Sequence, residues 1–191
     1  MQSSSLPIRI IATCWTLFCV IWLLAAVSRK RSVYHEGFGQ RLRYLIWLII
    51  AYLLLTRGHR LPYPFNVRIL AMEVVPWMAA ILCIAGLAIC VWARVTLGRN
   101  WSGTITLKEE HELIERGPYR LVRHPIYTGM LAMFLAAAIR FGHLGGFVAV
   151  LLAFASFWIK LREEEKLMLQ QFPDQYRSYQ QRVKCIIPFV L

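Results

Sequence analysis

Acidic side chains are scarce in this sequence: ten Asp and Glu stand against 22 Lys and Arg, and charged residues of both signs make up 17% of the 191. A soluble domain carries about a quarter charged residues, so this chain has too few to clothe one. A disordered chain is excluded from the other side, because 58% of the residues are hydrophobic. Several motifs are also missing. No Walker loop, HExxH or GxGxxG occurs, and the carboxylates, arginines and histidines form no Ser/His/Asp triad, so the usual ATPase, metalloprotease and hydrolase signatures are absent. The five cysteines include no CxxC pair and no His/Cys metal spacing. Neither a disulfide framework nor a metal site is expected.

What the sequence has instead is long apolar runs. Ile8–Val27 supplies 20 mostly apolar residues, about 30 Å as a helix, which matches one bilayer core. The basic cluster Arg29-Lys30-Arg31 follows this run, whereas in a signal peptide the charge mainly precedes a shorter run, so a retained anchor is expected. Tyr44–Leu55 is a shorter run, read as a span with snorkelling basic ends. A re-entrant segment is the alternative. Arg57–Arg68 holds Gly58, Pro62 and Pro64 and is expected to be a loop. Ile69–Ala93 is the longest apolar region. Pro76 is absorbed near the helix start or kinks it, and Gly86 offers a close helix contact. Ile126–Ile139 and Leu144–Ile159 are separated by only four residues, which predicts two antiparallel helices joined by a tight turn.

The expected fold is therefore all-α: a polytopic integral membrane protein with about five transmembrane helices. We expect a single domain over 1–191, with three spans in 1–93 and a polar, chemistry-bearing region with the helical hairpin in 94–191. Segments 28–43, 94–125 and 160–191 carry seventeen basic residues, while the opposite side carries Arg9, Arg57, Arg60, Arg68 and Arg140. The positive-inside rule then places the N-terminus outside and segment 94–125 and the tail inside. The basic excess serves topology and anionic headgroups, with no nucleic acid as partner.

Two stretches are unusually polar. In Leu97–Gly129, Arg120, Arg123 and His124 cluster beside Tyr119 and Tyr127. Such a group binds anions and stacks rings, or forms a juxtamembrane headgroup belt. In Lys160–Pro188, Glu163, Glu164 and Glu165 interrupt the apolar pattern beside Arg162. Arg162 and Glu165 are three apart and would share a helix face. The helical extension is either solvated or presents carboxylates to a polar ligand at the membrane mouth.

RGPYRLVRHPIYTG, followed by REEEKLMLQQFPDQYRSY and closing on IIP, resembles the isoprenylcysteine carboxyl methyltransferase family, within a wider group that includes phospholipid N-methyltransferases. LGRNWSG and HELIERGPY extend the similarity, which covers 97–188 well. The Arg-His-Pro-x-Tyr-x-Gly element with the later Glu-Glu is specific for the superfamily and much less so for the methyl acceptor. The resemblance implies S-adenosyl-L-methionine as methyl donor, bound in a pocket facing the cytoplasm of a bacterial inner membrane. It implies cofactor contacts from His111, Leu113, Tyr119, His124, Tyr127 and Glu164. Phe172-Pro173 stands where the family often has Phe-Gly, a change that removes no charged group.

A carboxylate acceptor is ionised at neutral pH and needs no general base, so orientation and exclusion of water would carry the reaction. Arg94, Arg123 and Arg162 are the candidates to orient it, since arginine pairs bidentately with carboxylates. An amine acceptor would need a base, and Glu164 or Glu165 is the candidate. The implied partners are a lipophilic or prenylated substrate and membrane lipids, with no obligate protein partner. A non-enzymatic module that only anchors lipid is the rival reading.

Overall fold

The structure is a computed structural model that describes residues 5–27, 37–70, 74–98, 113–188 and 190. Six α-helices follow in order: α1 Ser5–Val27, α2 Phe38–Arg57, α3 Val75–Leu97, α4 Pro125–Phe141, α5 Leu144–Gln171 and α6 Pro173–Arg182. Four of them, α1, α2, α3 and α5, are long and apolar enough to cross a membrane. The fifth apolar helix, α4, has 17 residues, about 25 Å of rise, slightly less than a hydrocarbon core. The protein is an integral membrane protein of helical bundle type.

Start and stop residues place these helices. Gln40 reaches back to accept the Gly37 backbone N–H at 3.1 Å, so α2 begins at Phe38, ahead of the apolar run. It then continues as one helix of 20 residues, which answers the re-entrant alternative. The expected start of the third span at Ile69 is corrected to Val75. The N–H groups of Ile69 and Leu70 bond instead to the Gly142 carbonyl, at 2.7 and 3.3 Å. Pro76 falls in the first turn of α3, where its missing N–H costs no helical bond. Pro125 and Pro173 open α4 and α6 in the same way.

The hairpin turn matches the expectation. Gly142 adopts φ +67°, and its N–H bonds to Ala138 O at 2.9 Å, closing α4. A side chain there would be strained and would also meet Leu70 O at 2.6 Å. Leu144 and Gly145 then donate to Val67 and Phe65 carbonyls at 2.9 and 3.0 Å. The loop after α2 thus clasps the turn and fixes the end of the bundle distant from the polar segments.

Helices α3 and α4 approach most closely at a pair of glycines. A Cβ on Gly86 would lie 2.6 Å from the Gly129 carbonyl oxygen, and one on Gly129 would lie 2.5 Å from that of Gly86. Backbone therefore meets backbone, as small residues permit in membrane bundles. On the other side of α3, Ala79, Ala80 and Cys83 pack with Ile11, Cys14 and Phe18 of α1. Helix α5 packs on α2, where the buried Ser156 hydroxyl donates to Tyr44 O at 2.7 Å. Large apolar side chains such as Leu23, Ile49, Ile81 and Leu151 face outward, as a lipid-facing surface requires.

Candidate functional site

Helix α5 has 28 residues, about 42 Å, so it projects its last turns beyond the shorter α4. This projection carries Glu163, Glu164 and Glu165 past the N-terminus of α4, where Arg123, His124 and Tyr127 wait. The tail closes the third side. Arg123 and His124 donate backbone N–H groups to Lys184 and Cys185 carbonyls at 2.8 and 2.9 Å. The Thr128 hydroxyl donates to Ile186 O at 2.6 Å. In this way the motif before α4, the end of α5 and the residues after α6 form one polar cluster.

Glu165 is its buried hub. Arg123 places Nε and Nη2 each 2.7 Å from Glu165 Oε1, and His124 Nε2 lies 3.2 Å from the same oxygen. Gln180 donates to Oε2 at 3.0 Å. Arg123 Nη1 also donates to Val183 O. Burial disfavours the Arg123 charge, but the hydrogen bond and charge of Glu165 outweigh it and raise its pKa above the ordinary value. The pair is hydrogen-bonded on nearly every side, which is what a buried ion pair needs to survive desolvation.

Glu164 is more open, with a quarter of its side chain exposed. Its Oε1 accepts the Tyr127 hydroxyl at 2.8 Å and lies 3.8 Å from Lys160 Nζ, while Oε2 is 3.7 Å from His124 Nδ1. The His124 and Tyr127 rings stack at 5.6 Å, and Tyr127 stacks on Phe157 at 5.2 Å. An aromatic wall thus backs a partly exposed carboxylate. That combination suits a cation, by charge and by ring quadrupole.

Of the ten expected site residues, five meet at this cluster: Arg123, His124, Tyr127, Glu164 and Glu165. Tyr119 is buried nearby and its carbonyl accepts the Tyr179 hydroxyl at 2.5 Å. Leu113 packs against the Tyr176, Tyr179 and Val183 group. Arg94 is buried with Nη1 bonded to Gly98 O at 2.6 Å. Arg162 is exposed, its guanidinium 5.5 Å from the Trp158 ring centre. Arg162 and Glu165 lie three apart on the continuous α5, as expected, but Glu165 pairs with Arg123. His111 lies outside the described residues.

Lys160, Gln180 and Cys185 were not anticipated. Lys160 could have been found, since it precedes Glu164 by four residues on one helix. Gln180 and Cys185 reach Glu165 only through the fold of the tail. Burial, then the Glu165 charge, pushes the Cys185 thiol up to about 12, so it stays protonated at neutral pH. His124, Glu165 and Cys185 bring donor atoms within 4.8 Å of one another, a grouping no sequence spacing announced. The Arg123 guanidinium already neutralises that carboxylate and opposes a second cation on it.

A family model described as phospholipid methyltransferase matches residues 74–175. A probable protein-S-isoprenylcysteine O-methyltransferase of Oryza sativa subsp. japonica is 32% identical over 119 residues, 61% of this chain and 62% of the relative. Methanethiol S-methyltransferase 1 of Bradyrhizobium diazoefficiens is 43% identical over 72 residues, 37% of this chain and 24% of that protein. The solved structure of the eukaryotic intramembrane Ras methyltransferase, isoprenylcysteine carboxyl methyltransferase, matches with a TM-score of 0.62 at 23% identity. That match covers 83% of this chain and 55% of the solved one, so it speaks for the fold. The chain spans about three fifths of the length of the rice relative. The family model covers more than half of this sequence, and the chain belongs to the phospholipid methyltransferase family.

Proposed function

We propose that this member of the phospholipid methyltransferase family transfers a methyl group from S-adenosyl-L-methionine to the carboxylate of an isoprenylcysteine or a similar lipophilic acid. The observation that carries the reading is the open Glu164 carboxylate against the His124–Tyr127–Phe157 ring stack, at the end of a lipid-facing bundle. The rice relative and the solved Ras methyltransferase, by their names, act on isoprenylcysteine, which supports the choice of acceptor.

The residues present fit such a donor. Its sulfonium and ammonium are cationic, and Glu164 with its aromatic neighbours offers charge and ring faces to a cation. Glu164, His124 and Tyr127 would hold it, with Tyr119, Leu113 and His111 as further proposed contacts. When bound, this cofactor supplies an electrophilic methyl group. The chain itself needs no nucleophile. Arg162 keeps its donors available, since no carboxylate among the described residues pairs with it, and would orient the acceptor carboxylate. Arg94 and Arg123 were proposed for the same role, but each is engaged within the protein, so they serve better to hold the site's shape. The aromatic side chains exclude water from the reacting groups.

A lipophilic acceptor could enter sideways between helices with its polar end at the interface. Each buried methylene contributes roughly 0.8 kcal/mol, so a prenyl-sized tail can dominate recognition. The positive-inside count supports a site facing the cytoplasm, in a bacterial inner membrane. Cysteines introduced at the exposed Tyr63 and Ser178 should react with an impermeant maleimide from opposite sides. Labelling of both from one side would overturn that orientation.

One observation favours a second reading. The family model carries the name of phospholipid methylation, and an amine acceptor would use Glu164 as base after losing its contact with Lys160. Incubation with labelled S-adenosyl-L-methionine and either N-acetyl-S-farnesylcysteine or phosphatidylethanolamine separates the two. A methyl ester releases methanol in base, and an N-methyl group does not. Stable methylation of the amine lipid with no ester from the prenylcysteine would reject the carboxylate reading.

A further inference from the structure

A cavity lies at the far end of the bundle, where the polar cluster does not reach. It encloses about 290 Å³ between α1, α2 and α4, and its walls include Ile11, Trp15, Tyr52, Leu55, Phe134 and Ala137. Arg140, fifteen residues along α4 from Pro125, sits in the same wall beside Thr56. That places the guanidinium about 22 Å along the helix from the start of α4. The rings of Tyr127, Phe157 and Phe134 pack at 5.2 and 6.3 Å between the two regions. The cavity is therefore separate from the Glu164 site.

Its chemistry is sharply divided. The lining is almost wholly aliphatic and aromatic. At roughly 30 Å³ for a water-sized group, it accommodates about ten methylene-sized units, which suits a stretch of acyl chain. Its one charged wall residue, Arg140, lies 4.5 Å above its own neighbour Phe141, and no carboxylate among the described residues pairs with it. Arg9 and Arg57, exposed and next in sequence to the lining residues Ile8 and Thr56, add positive charge at the same helix ends. An apolar slot whose wall holds one guanidinium, with no ion pair among the described residues, is complementary to an anionic amphiphile. A guanidinium fork matches a phosphate by two parallel hydrogen bonds.

We propose that this cavity binds one acyl chain of an anionic phospholipid, with its phosphate on Arg140. The site is distinct from the methyl-transfer site and stands whether or not the proposed acceptor is correct. The lipid fills space between α1, α2 and α4 and neutralises a charge that no carboxylate among the described residues meets.

The test uses the whole chain in phosphatidylcholine nanodiscs containing a trace of phosphatidylglycerol with a photoreactive diazirine on its acyl chain. After irradiation, peptide mapping should find adducts on 8–15, 52–56 and 134–141. Unlabelled phosphatidylglycerol should compete, and phosphatidylcholine should not. Arg140→Gln should lower labelling of these segments by about tenfold, the factor one charge-assisted contact supplies. Labelling of the outward-facing Ile81 and Ile84 on α3 serves as the internal reference and should not change. Ala137→Trp, which fills the cavity and keeps the guanidinium, should also abolish the adducts. Each variant is first checked for wild-type elution in detergent. Equal labelling by a photoreactive phosphatidylcholine, undiminished in Arg140→Gln, would reduce the lipid to ordinary solvation of the bundle and overturn the proposal. Displacement of the probe by millimolar inorganic phosphate would instead assign Arg140 to a free anion.

Discussion

The two ends of this bundle treat charge in opposite ways. At the end formed by Arg123, His124 and the last turns of α5, cations and carboxylates are brought together and cross-bonded. Glu165 alone receives Arg123, His124 and Gln180. At the other end, the clasped loop and hairpin turn are held by backbone hydrogen bonds to Gly142, Val67 and Phe65, and Arg140 stands in an apolar wall with no described carboxylate near it. The first arrangement builds a rigid polar frame with one partly exposed carboxylate, Glu164, partnered by Tyr127 and Lys160. The second leaves a charge that no carboxylate among the described residues meets. The contrast teaches that basic residues of one chain serve different ends according to whether the fold delivers acids to them.

The comparison can be broken most forcefully at Glu165. Glu165→Ala leaves Arg123 charged, buried and unanswered, and should cost about 3–5 kcal/mol of stability, read as a lowered unfolding midpoint in detergent. Replacing Arg123 and Glu165 together by methionine should recover most of that loss, because no orphaned charge remains. A midpoint unmoved by Glu165→Ala would mean the ion pair does not hold the tail. Arg140→Gln, by contrast, should change the midpoint by less than about 1 kcal/mol, as it removes only the contact with the Phe141 ring and no ion pair among the described residues.

Between the two ends, Gly129→Val tests whether backbone contact with Gly86 sets the spacing of α3 and α4. Overpacking there should cost about 1–3 kcal/mol, while a neutral result in the same unfolding assay would show that the helices can part freely. A smaller effect is expected in ligand binding. His124→Ala should weaken S-adenosyl-L-methionine binding by at least about tenfold, or 1.4 kcal/mol, in calorimetry. His143→Ala, at the far end, should leave the affinity unchanged. Equal losses would erase the functional distinction between the ends.

A further test concerns pH. Cys185 has its thiol pushed from 9.0 to about 12 by burial and the Glu165 charge. Its protonated form favours the folded state, so this contribution is complete below pH 9 and is lost between about 9 and 12. Unfolding midpoints measured across that window should fall less steeply in Cys185→Ser. An unchanged slope would show that other groups dominate alkaline unfolding.

Much of this was legible in the residues because apolar runs and breakers act locally. The 140–143 turn follows from two runs too close to be joined any other way, and Gly142 supplies its left-handed residue. The motif from Arg123 to Tyr127 and the pair Glu164-Glu165 were identifiable by resemblance. Boundaries were less legible. Ile69 and Leu70 look like helix, but tertiary hydrogen bonds to Gly142 draw their N–H groups away. Arg162 is adjacent in sequence to the acidic run and stands at an ordinary helical pairing distance from Glu165. The choice of Arg123 depends instead on the rotation of α5 relative to the segment before α4.

By itself, the sequence determined that this is a helical membrane protein, where its helical hairpin turns, and which two segments are unusually polar. Those outcomes rest on hydrophobicity, charge and backbone propensity, which each residue brings with it. The tertiary structure alone decided that Glu165 is spent on Arg123 while Glu164 stays open, that Gln180 and Cys185 join them, and that Arg140 overlooks a cavity. These depend on helix rotation and on the path of the tail. Both are set by contacts between residues tens of positions apart, and no local preference encodes which side chains meet.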